Sequence, residues 1–295
     1  MHHVFIINPT AGKGRAVQMI GAIKSRFKDF GQSFEISITE APGHAAKIAK
    51  EAVSSENQTR IYSVGGDGTF NEIVNAVADY PNIELGIIPC GLGNDTARYL
   101  YPVINPMKLI RVLPASPSTS IDLGKISDKY FVNIASIGFD AQVVLNIEYF
   151  KKSPLVTGPM SYWLAVFYTL FKMKKYHLRI TIDGQTTVEK DFLLSIFANG
   201  TYYGGGMKAA PAAKMDDGVF DFYLIESVPR SQFIKHFGFF QSGKHNDLEE
   251  LEYYKGTKAL IESSSPFPVN YDGEICLEKR VTIEILPKRL KVIIP

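Results

Sequence analysis

The chain has 295 residues, of which 45% are hydrophobic and 21% are charged, and its net charge is +2. This length and composition suit two globular domains and exclude a disordered chain, and the small net charge argues against a nucleic-acid partner. The two cysteines, Cys90 and Cys276, form neither a disulfide framework nor a metal-binding pattern, which favours a reducing compartment such as the cytoplasm.

The first part of the chain alternates predicted strands and helices. Strand patterns cover residues 3–8, 34–39, 61–64 and 85–88, and helical patterns begin at Ala16, cover residues 43–53 and 70–77, and follow Asn94. This rhythm predicts a parallel sheet with helices on both faces. In such sheets, ligands bind beyond the carboxyl ends of the strands. A Pro- and Ser-rich segment at residues 114–118 is the predicted linker, which gives an α/β domain at residues 1–117.

Strand patterns dominate the second part, residues 118–295. They cover residues 120–125, 130–137, 178–182, 188–198, 220–225, 258–262, 281–286 and 290–293. Two helical patterns interrupt them, at residues 160–173 and 230–242. We therefore predict a mainly antiparallel β domain. The uncharged stretch at residues 154–171 is interrupted by Gly158 and Pro159, so we do not expect a transmembrane helix there.

Three glycine-rich loops each follow a predicted strand and precede a helix. They read NPTAGKG (residues 8–14), GGDGT (65–69) and PCGLGND (89–95). Glycines let backbone N–H groups approach a ligand, and helix N-termini add partial positive charge, so together the loops favour a polyphosphate. The first loop alone is better explained as an ordinary turn. Asp67, within the second loop, repels phosphate unless a cation intervenes, which indicates Mg²⁺.

Two well-known nucleotide-binding motifs are absent. Walker A needs Ser or Thr after its Gly-Lys pair, but Lys13 is followed by Gly14. The dinucleotide-binding pattern needs Gly or Ala where this chain has Asn71 or Thr96. A dinucleotide-dependent dehydrogenase is therefore disfavoured.

The order NPTAGKG, GGDGTFNE, GLGNDTAR and NYDGE resembles the diacylglycerol kinase catalytic-domain family, which includes bacterial lipid kinases and the sphingosine and ceramide kinases. The resemblance covers nearly the whole chain. It implies an N-terminal parallel-sheet α/β domain like that of NAD kinases and a C-terminal, mainly antiparallel β-sandwich domain, with the active site in the cleft between them. Whether the last strands return to the first domain stays open.

The resemblance also implies an activity: ATP- and Mg²⁺-dependent phosphorylation of the hydroxyl of a lipid alcohol, with diacylglycerol as the expected substrate and phosphatidic acid as the product. The ATP-binding residues that it implies are Asn8, Pro9, Thr10, Ala11, Gly12, Thr39, Gly65, Gly66, Asp67, Gly68, Thr69, Asn71, Glu72, Leu92, Gly93, Asn94 and Asp95. Leu92 departs from the family, which usually has Thr or Ser there. Two alternatives are an NAD kinase-like phosphotransferase and a nucleotide- or lipid-binding protein without turnover.

Metal ligands follow from the same resemblance. Asp67 and Asp95 would organise the Mg²⁺–phosphate site, with Asp122 near it. A second, structural Mg²⁺ site would use the residues of a downstream acidic turn, namely Asp217 and the backbone carbonyls of Lys214 and Val219. A plain hairpin turn is the alternative explanation of that segment.

A carboxylate must accept the proton of the attacking hydroxyl. The resemblance places this general base in the sequence Asp272-Gly273-Glu274, with Glu274 as the first candidate and Asp272 as the second. On an extended strand the two carboxylates would face the same side, about 6–7 Å apart, whereas on a turn at Gly273 they would diverge. A solvated Asp-Gly turn is the non-functional alternative.

A lipid substrate implies peripheral contact with the inner surface of a membrane. Residues 160–173 are apolar nearly all round and contain Trp163, with lysines following, as in an interfacial anchor. A buried helix is the alternative. A second candidate is the aromatic set Phe233, Ile234, Phe237, Phe239 and Phe240, which would line an acyl-chain cleft or belong to the core. A homodimer is left open.

Overall fold

The computed structural model describes residues 1–53, 58–151, 158–245 and 248–295. Its strands are β1 (His2–Ile7), β2 (Phe34–Ile38), β3 (Thr59–Gly65), β4 (Ile83–Pro89), β5 (Ser118–Ile126), β6 (Lys129–Phe131), β7 (Ile134–Gly138), β8 (Tyr176–Ile182), β9 (Thr186–Ala198), β10 (Phe220–Glu226), β11 (Leu251–Gly256), β12 (Lys258–Tyr271) and β13 (Glu274–Ile293). Its helices are α1 (Arg15–Phe30), α2 (His44–Glu51), α3 (Asp67–Val77), α4 (Asp95–Leu100), α5 (Pro106–Val112), α6 (Phe139–Lys151), α7 (Gly158–Phe171) and α8 (Arg230–Ser242).

The amino-terminal part is built on a parallel sheet, as the sequence predicts. Its strands lie in the order β2, β1, β3, β4, and each neighbouring pair is parallel. Every residue of β3 and β4 is buried, as expected for strands covered by helices on both faces. In register, Ile7 lies beside Val64 and Val64 beside Ile88, so these three strands end at the same edge. All three glycine-rich loops leave from that edge.

The carboxyl-terminal part is strand-rich and mainly antiparallel, and it continues the same sheet. Strands β11, β10, β9, β7, β12 and β13 follow one another, and neighbouring strands in this series are antiparallel. The end of β13 pairs in parallel with β4, where Val292 lies beside Leu85. Strand β5 lies antiparallel against β13. Hydrogen-bonded strands therefore connect the two parts of the chain rather than a linker alone.

The strand patterns at residues 130–137, 281–286 and 290–293 are divided differently in the structure. The pattern at residues 130–137 is split into β6 and β7, because the N–H groups of Val132, Asn133 and Ile134 donate to the side chain of Asp272 instead of joining a ladder. The patterns at residues 281–286 and 290–293 belong to one long strand, β13, whose register shifts between Leu286 and Leu290.

Helices α6, α7 and α8 pack together over the β-rich part. Their contacts include the buried side chains of Phe139, Val143, Ala165 and Phe233. Helix α7 is therefore neither fully buried nor fully exposed: Ala165 is inaccessible, whereas Phe171 is 69% exposed. The side chains of Trp163, Phe237 and Phe240, on which the sequence-based lipid-contact hypothesis drew, lie outside the described part. None of the described helices combines the length and apolar character needed to cross a bilayer.

Candidate active site

The three glycine-rich loops touch one another, and glycine is sterically required at the points of contact. A Cβ atom on Gly12 would lie 2.1 Å from the carbonyl oxygen of Cys90, and Gly12 has a φ of 57°. A Cβ atom on Gly91 would lie 2.5 Å from the Cα atom of Gly66. Such separations are far below any real contact, so the loops approach this closely only with glycine at these positions. The sequence predicted one shared site from these loops, and the structure brings them together.

A cavity of about 190 Å³ opens beside the first two loops. It is lined by Asn8, Pro9, Thr10, Thr39, Glu40, Ala41, Pro42, Ala45, Thr69 and Glu72. Asn8 Nδ2 donates a 3.0 Å hydrogen bond to Thr69 Oγ1, which ties the first loop to the second. Glu72 Oε2 accepts a 3.2 Å bond from the backbone N–H of Ala45. The wall thus contains predicted ATP-binding residues from both loops, together with Thr39.

Four residues of this wall, Glu40, Ala41, Pro42 and Ala45, were not singled out from the sequence. They follow β2, the fourth parallel strand. The rule that ligands bind beyond the carboxyl ends of parallel strands would have found them had it been applied to the β2 loop as well.

A larger cavity of about 440 Å³ lies between the amino-terminal loops and the β-rich part. One end carries the carboxylates Asp67, Asp95 and Asp272. The remainder of its wall is largely apolar and includes Phe139, Val143, Val144, Ile147, Val166, Leu194, Ile196 and Phe233. The cavity therefore combines an anionic end, next to the glycine-rich loops, with a hydrophobic interior covered by α6, α7 and α8.

Asp67 and Asp95 come from different loops and meet at the anionic end. Asp67 Oδ1 accepts a 3.2 Å bond from the N–H of Thr96, and Asp95 Oδ2 accepts a 2.8 Å bond from the N–H of Gly205. Burial raises the pKa of Asp95, and the nearby charge of Asp67 raises it further. Asp95 Oδ1 is buried and has no hydrogen-bond partner among the described residues. An orphaned carboxylate oxygen beside a second carboxylate fits a divalent cation.

The loop that donates to Asp95 was missed in the sequence. Gly204, Gly205 and Gly206 have φ values of 61°, 91° and 105°, a region that residues with a Cβ atom rarely adopt. Gly204 and Gly205 also line the large cavity. Three glycines in succession were the feature that could have revealed this loop.

Asp272 lies at the junction of the two parts of the chain. Its carboxylate accepts hydrogen bonds from the backbone N–H groups of Val132 (2.5 Å), Asn133 (3.0 Å) and Ile134 (3.1 Å), and from Asn71 Nδ2 (3.2 Å). Burial raises the pKa of Asp272 to about 6, although these donors act in the opposite direction. Asp272 is therefore an anchored carboxylate that titrates close to neutral pH, inside the large cavity.

Glu274 lies in a different environment. Asp272 and Gly273 form the turn between β12 and β13 with φ values of 48° and 96°, so the two carboxylates are not neighbours on an extended strand. Glu274 is exposed and lies outside the residues that line either cavity. The geometry therefore favours Asp272 over Glu274, which the sequence had placed first.

Asp122 lies near the downstream acidic turn instead of on the wall of the large cavity. It is fully buried, and its two oxygens accept bonds from the N–H groups of Gly218 (2.8 Å) and Lys288 (2.7 Å). Both oxygens are thus occupied by the loops on either side. Asp122 therefore holds the two loops together through these hydrogen bonds. It does not line the cavity that contains Asp67 and Asp95, so the structure does not support it as a third ligand of the same metal ion.

The predicted second metal site lies in that same turn. Asp217 Oδ1 accepts a 3.3 Å bond from the N–H of Val219, and Asp217 Oδ2 lies 3.4 Å from Lys255 Nζ. Asp221, which the sequence did not suggest, is fully buried beside it; burial raises its pKa, and its Oδ2 has no partner in the described chain. Asp217 and Asp221 could supply part of the ligand shell of a cation, but the Lys255 ammonium group already lies near both carboxylates. The described residues hold no cluster of three or more His, Cys, Asp or Glu side chains suited to a metal.

Glycine-rich loops at the carboxyl edge of a parallel sheet, beside carboxylates that suit a divalent cation, are the features of a phosphate-binding site. Residues 2–126 match the diacylglycerol kinase catalytic domain, and residues 133–294 match the YegS C-terminal NAD kinase beta sandwich-like domain. The chain belongs to the diacylglycerol kinase catalytic-domain family, which confirms the resemblance seen in the sequence and its two-domain architecture.

Individual relatives agree with this assignment. The diacylglycerol kinases of Staphylococcus aureus strains bovine RF122 / ET3-1 and MRSA252 are each 32% identical over 270 residues, which cover 91% of this chain and 84% of theirs. A crystal structure of a diacylglycerol kinase from Bacillus anthracis str. Sterne has a TM-score of 0.74 at 24% identity, covering 100% of this chain and 97% of the other. A second structure from that organism has a TM-score of 0.80 at 26% identity, with the same coverage. The likeness to the first structure shows the fold alone.

Proposed function

We propose that this protein is an ATP- and Mg²⁺-dependent lipid kinase that transfers the γ-phosphoryl group of ATP to the hydroxyl of a lipid alcohol. The observation that carries the proposal is the pair of adjoining cavities. Thr69 lines the smaller cavity and Asp67 the larger one, although only two positions separate them on the same loop. A nucleotide in the first cavity thus presents its phosphates to a hydroxyl in the second. The names of the relatives favour diacylglycerol as substrate and phosphatidic acid as product.

The nucleotide half of the reaction rests on positioning. Phosphoryl transfer needs the γ-phosphate held in line with the attacking oxygen and its charge neutralised. The touching loops offer backbone N–H groups, and α3 begins at Asp67 with its positive dipole end at the site. Asn8, Thr39 and Thr69 line the smaller cavity and would contact the rest of the nucleotide.

Asp67 and Asp95 are the residues that would hold Mg²⁺. The bound ion would neutralise phosphate charge, and the orphaned Asp95 Oδ1 is the observation on this chain that fits it. For a structural Mg²⁺, we keep Asp217 with the carbonyls of Lys214 and Val219 as the proposed ligands, now with the buried Asp221 beside them.

Asp272 is the proposed general base. Asp272 lines the cavity that would hold the lipid, whereas Glu274 is exposed to solvent and does not line that cavity. With a pKa of about 6 it is mostly ionised at pH 7 and still basic enough to accept a proton as the hydroxyl attacks. Four hydrogen-bond donors hold the Asp272 carboxylate in place. The lipid hydroxyl must therefore move to the carboxylate, because the carboxylate is not free to move to the hydroxyl.

The lipid half rests on the apolar interior of the large cavity. Small-molecule sites have volumes of about 300–1,000 Å³, so a cavity of 440 Å³ holds only part of a two-chain lipid. The remainder would stay in the membrane, and the enzyme would act at the inner membrane surface. Exposed Phe171, Ile234 and Phe239 on α7 and α8, together with Arg230 stacked 5.7 Å from the Phe171 ring, suit an interfacial contact.

Purified protein, incubated with ATP, Mg²⁺ and total membrane lipid, tests the proposal by mass spectrometry of the lipids. A lipid alcohol that gains one phosphate is expected, with diacylglycerol as the first species to examine. A parallel reaction with NAD in place of lipid tests the NAD kinase alternative, and ATP binding without any transfer would favour a non-catalytic binding protein.

A further inference from the structure

A fourth carboxylate lines the large cavity and has no part in the mechanism proposed for the other three. Asp140, in the first turn of α6, is 9% exposed and belongs to the cavity wall. Three side chains donate to its Oδ2 atom: Ser136, Tyr203 at 2.9 Å and Asn270 at 3.1 Å. Its Oδ1 atom is buried and has no hydrogen-bond partner in the described residues. A buried acceptor left without a donor costs free energy, so this oxygen calls for a partner.

Asp140 lies where the polar end of the cavity gives way to the apolar interior. Asn270 connects it to the turn between β12 and β13 that contains Asp272. Asn270 Oδ1 accepts a 2.9 Å bond from the N–H of Gly273, and Asn270 Nδ2 donates to Asp140. On the other side, α6 continues along the wall with Val143, Val144 and Ile147. The part of a lipid that passes Asp140 is therefore the segment between the reacting hydroxyl and the acyl chain.

We propose that Asp140 determines which lipid alcohol is accepted, by taking a hydrogen bond from a second donor next to the reacting hydroxyl. This inference rests on the proposed lipid kinase activity. An ionised carboxylate is an acceptor only, and three donors already occupy Asp140 Oδ2, so the remaining oxygen suits a donor on the lipid. The ester oxygens of a diacylglycerol are acceptors too, and they leave Asp140 Oδ1 unpaired. A free hydroxyl or an amide N–H at the neighbouring carbon satisfies it after a small rotation of the carboxylate, whose terminal torsion is soft. The cavity wall therefore ranks a lipid alcohol with a second donor above diacylglycerol, which only the names of the relatives favour.

A pair of lipids that differ by one methyl group tests the proposal without changing the protein. We compare 1-monooleoylglycerol with 1-oleoyl-2-O-methylglycerol in mixed detergent micelles, with 1,2-dioleoylglycerol as a third substrate. Methylation removes the second donor and adds one methyl group, so kcat/KM is expected to fall at least about tenfold. The diacylglycerol, which also lacks the second donor, is expected to resemble the methylated lipid. Values within about twofold of each other overturn the proposal. If neither these three lipids nor any lipid of a total membrane extract is phosphorylated, the proposed lipid kinase activity is wrong, and this proposal is overturned with it.

The variant Asp140→Asn adds a second, independent test. Its amide oxygen keeps the three donors, and its NH₂ group replaces the unpartnered oxygen, so the preference should shift at least tenfold toward the methylated lipid and the diacylglycerol. Asp128→Asn makes the same chemical change at an exposed side chain and should leave the ratio unchanged. An equal loss on all three lipids in a folded Asp140→Asn protein would show a purely structural role and overturn the proposal. If thermal melts show that this variant does not fold, the lipid pair decides alone.

Discussion

Asn71 Nδ2 donates a 3.2 Å hydrogen bond to Asp272 Oδ2, although 201 positions separate the two residues in the chain. Asn71 belongs to α3, directly after the GGDGT loop, and Asp272 to the turn between β12 and β13. The proposed base is therefore held partly by the nucleotide-binding part of the protein. Through this contact, the position of the carboxylate depends on the same helix whose N-terminus would face the phosphates in the proposed function.

The choice between the two candidate bases gives the first prediction. Asp272→Asn should lower kcat by about 10²–10⁴-fold, the usual effect of losing a general base, because the remaining carboxylate, Glu274, lies outside the cavity. Glu274→Gln should change kcat less than about threefold. Steady-state phosphorylation assays with both folded variants measure this. The opposite pattern would return the role of base to Glu274.

The pH dependence of the reaction follows from the raised pKa of Asp272. A base must be ionised, so kcat/KM should fall as the pH drops below about 6. Asn71→Ala removes a hydrogen bond to the ionised form, which raises the pKa of Asp272 and moves the acidic limb to higher pH. Gln185→Ala, in an exposed turn, is the control. An acidic limb that does not move in Asn71→Ala would contradict this role for the Asn71–Asp272 contact.

The cation site predicts a change in the dependence on Mg²⁺. Asp67→Asn and Asp95→Asn each remove one negative ligand, so each should need at least about tenfold more Mg²⁺ for half-maximal activity and lose most of its kcat. Titration of MgCl₂ at fixed ATP, after EDTA treatment, measures both effects. Asp217→Asn tests the other acidic turn, and we expect it to lower the melting temperature more than it changes the Mg²⁺ requirement of turnover. Unchanged Mg²⁺ titration curves for both Asp67→Asn and Asp95→Asn would contradict the assignment of these residues as Mg²⁺ ligands.

The glycine contacts predict a difference between two similar substitutions. Gly12 and Gly14 both have positive φ values, 57° and 90°, so alanine at either should cost about 1–2 kcal/mol of backbone strain. Only at Gly12 would the new Cβ atom collide with Cys90, because nothing lies within 4 Å at Gly14. Gly12→Ala should therefore raise KM for ATP at least about tenfold and lower the melting temperature more than Gly14→Ala does. Equal KM values for the two variants would argue against close contact of the loops.

Membrane contact gives the last of these predictions. The double variant Phe171→Ala/Ile234→Ala removes two exposed apolar side chains from α7 and α8, so it should reduce co-sedimentation with anionic phospholipid vesicles and raise the apparent KM for vesicle-embedded lipid. Turnover of a lipid in detergent micelles should change much less. Tyr80→Ala/Leu277→Ala, on exposed side chains elsewhere, is the matched control. Full vesicle binding by the α7–α8 variant would contradict an interfacial role for these helices.

The amino-terminal fold could be predicted from the sequence because its physical cause is local. Buried parallel strands appear as short apolar runs and their helices as 3.6-residue patterns, and glycine loops mark the strand ends. The α8 bounds also agree with the structure, Arg230–Ser242. Helix α5 and strand β11 were not predicted, and α6 was missed because it follows β7 directly at Gly138, whose φ is 119°, with no polar loop between them to mark a helix start.

The residues of the site were predicted well where they lie in motifs and poorly where only the fold brings them together. The loops around Asp67 and Asp95 stand out in the sequence. Whether Asp272 or Glu274 faces the cavity depends on a turn that reverses the chain. Asp140 becomes notable only because two residues from distant parts of the chain, Tyr203 and Asn270, donate to it together with Ser136. Burial, hydrogen bonding and the orientation of neighbouring carboxylates toward a cavity depend on tertiary structure, so they could not be predicted from a single sequence.

The transfer of ³²P from [γ-³²P]ATP to 1,2-dioleoylglycerol and 1-monooleoylglycerol, measured with wild-type protein in the presence of Mg²⁺ and then of EDTA, tests the central claim most directly. We predict a labelled lipid phosphate that depends on Mg²⁺ and is lost in Asp67→Asn. ATP that binds but labels neither these lipids nor a total membrane lipid extract would contradict the assignment of this protein as a lipid kinase.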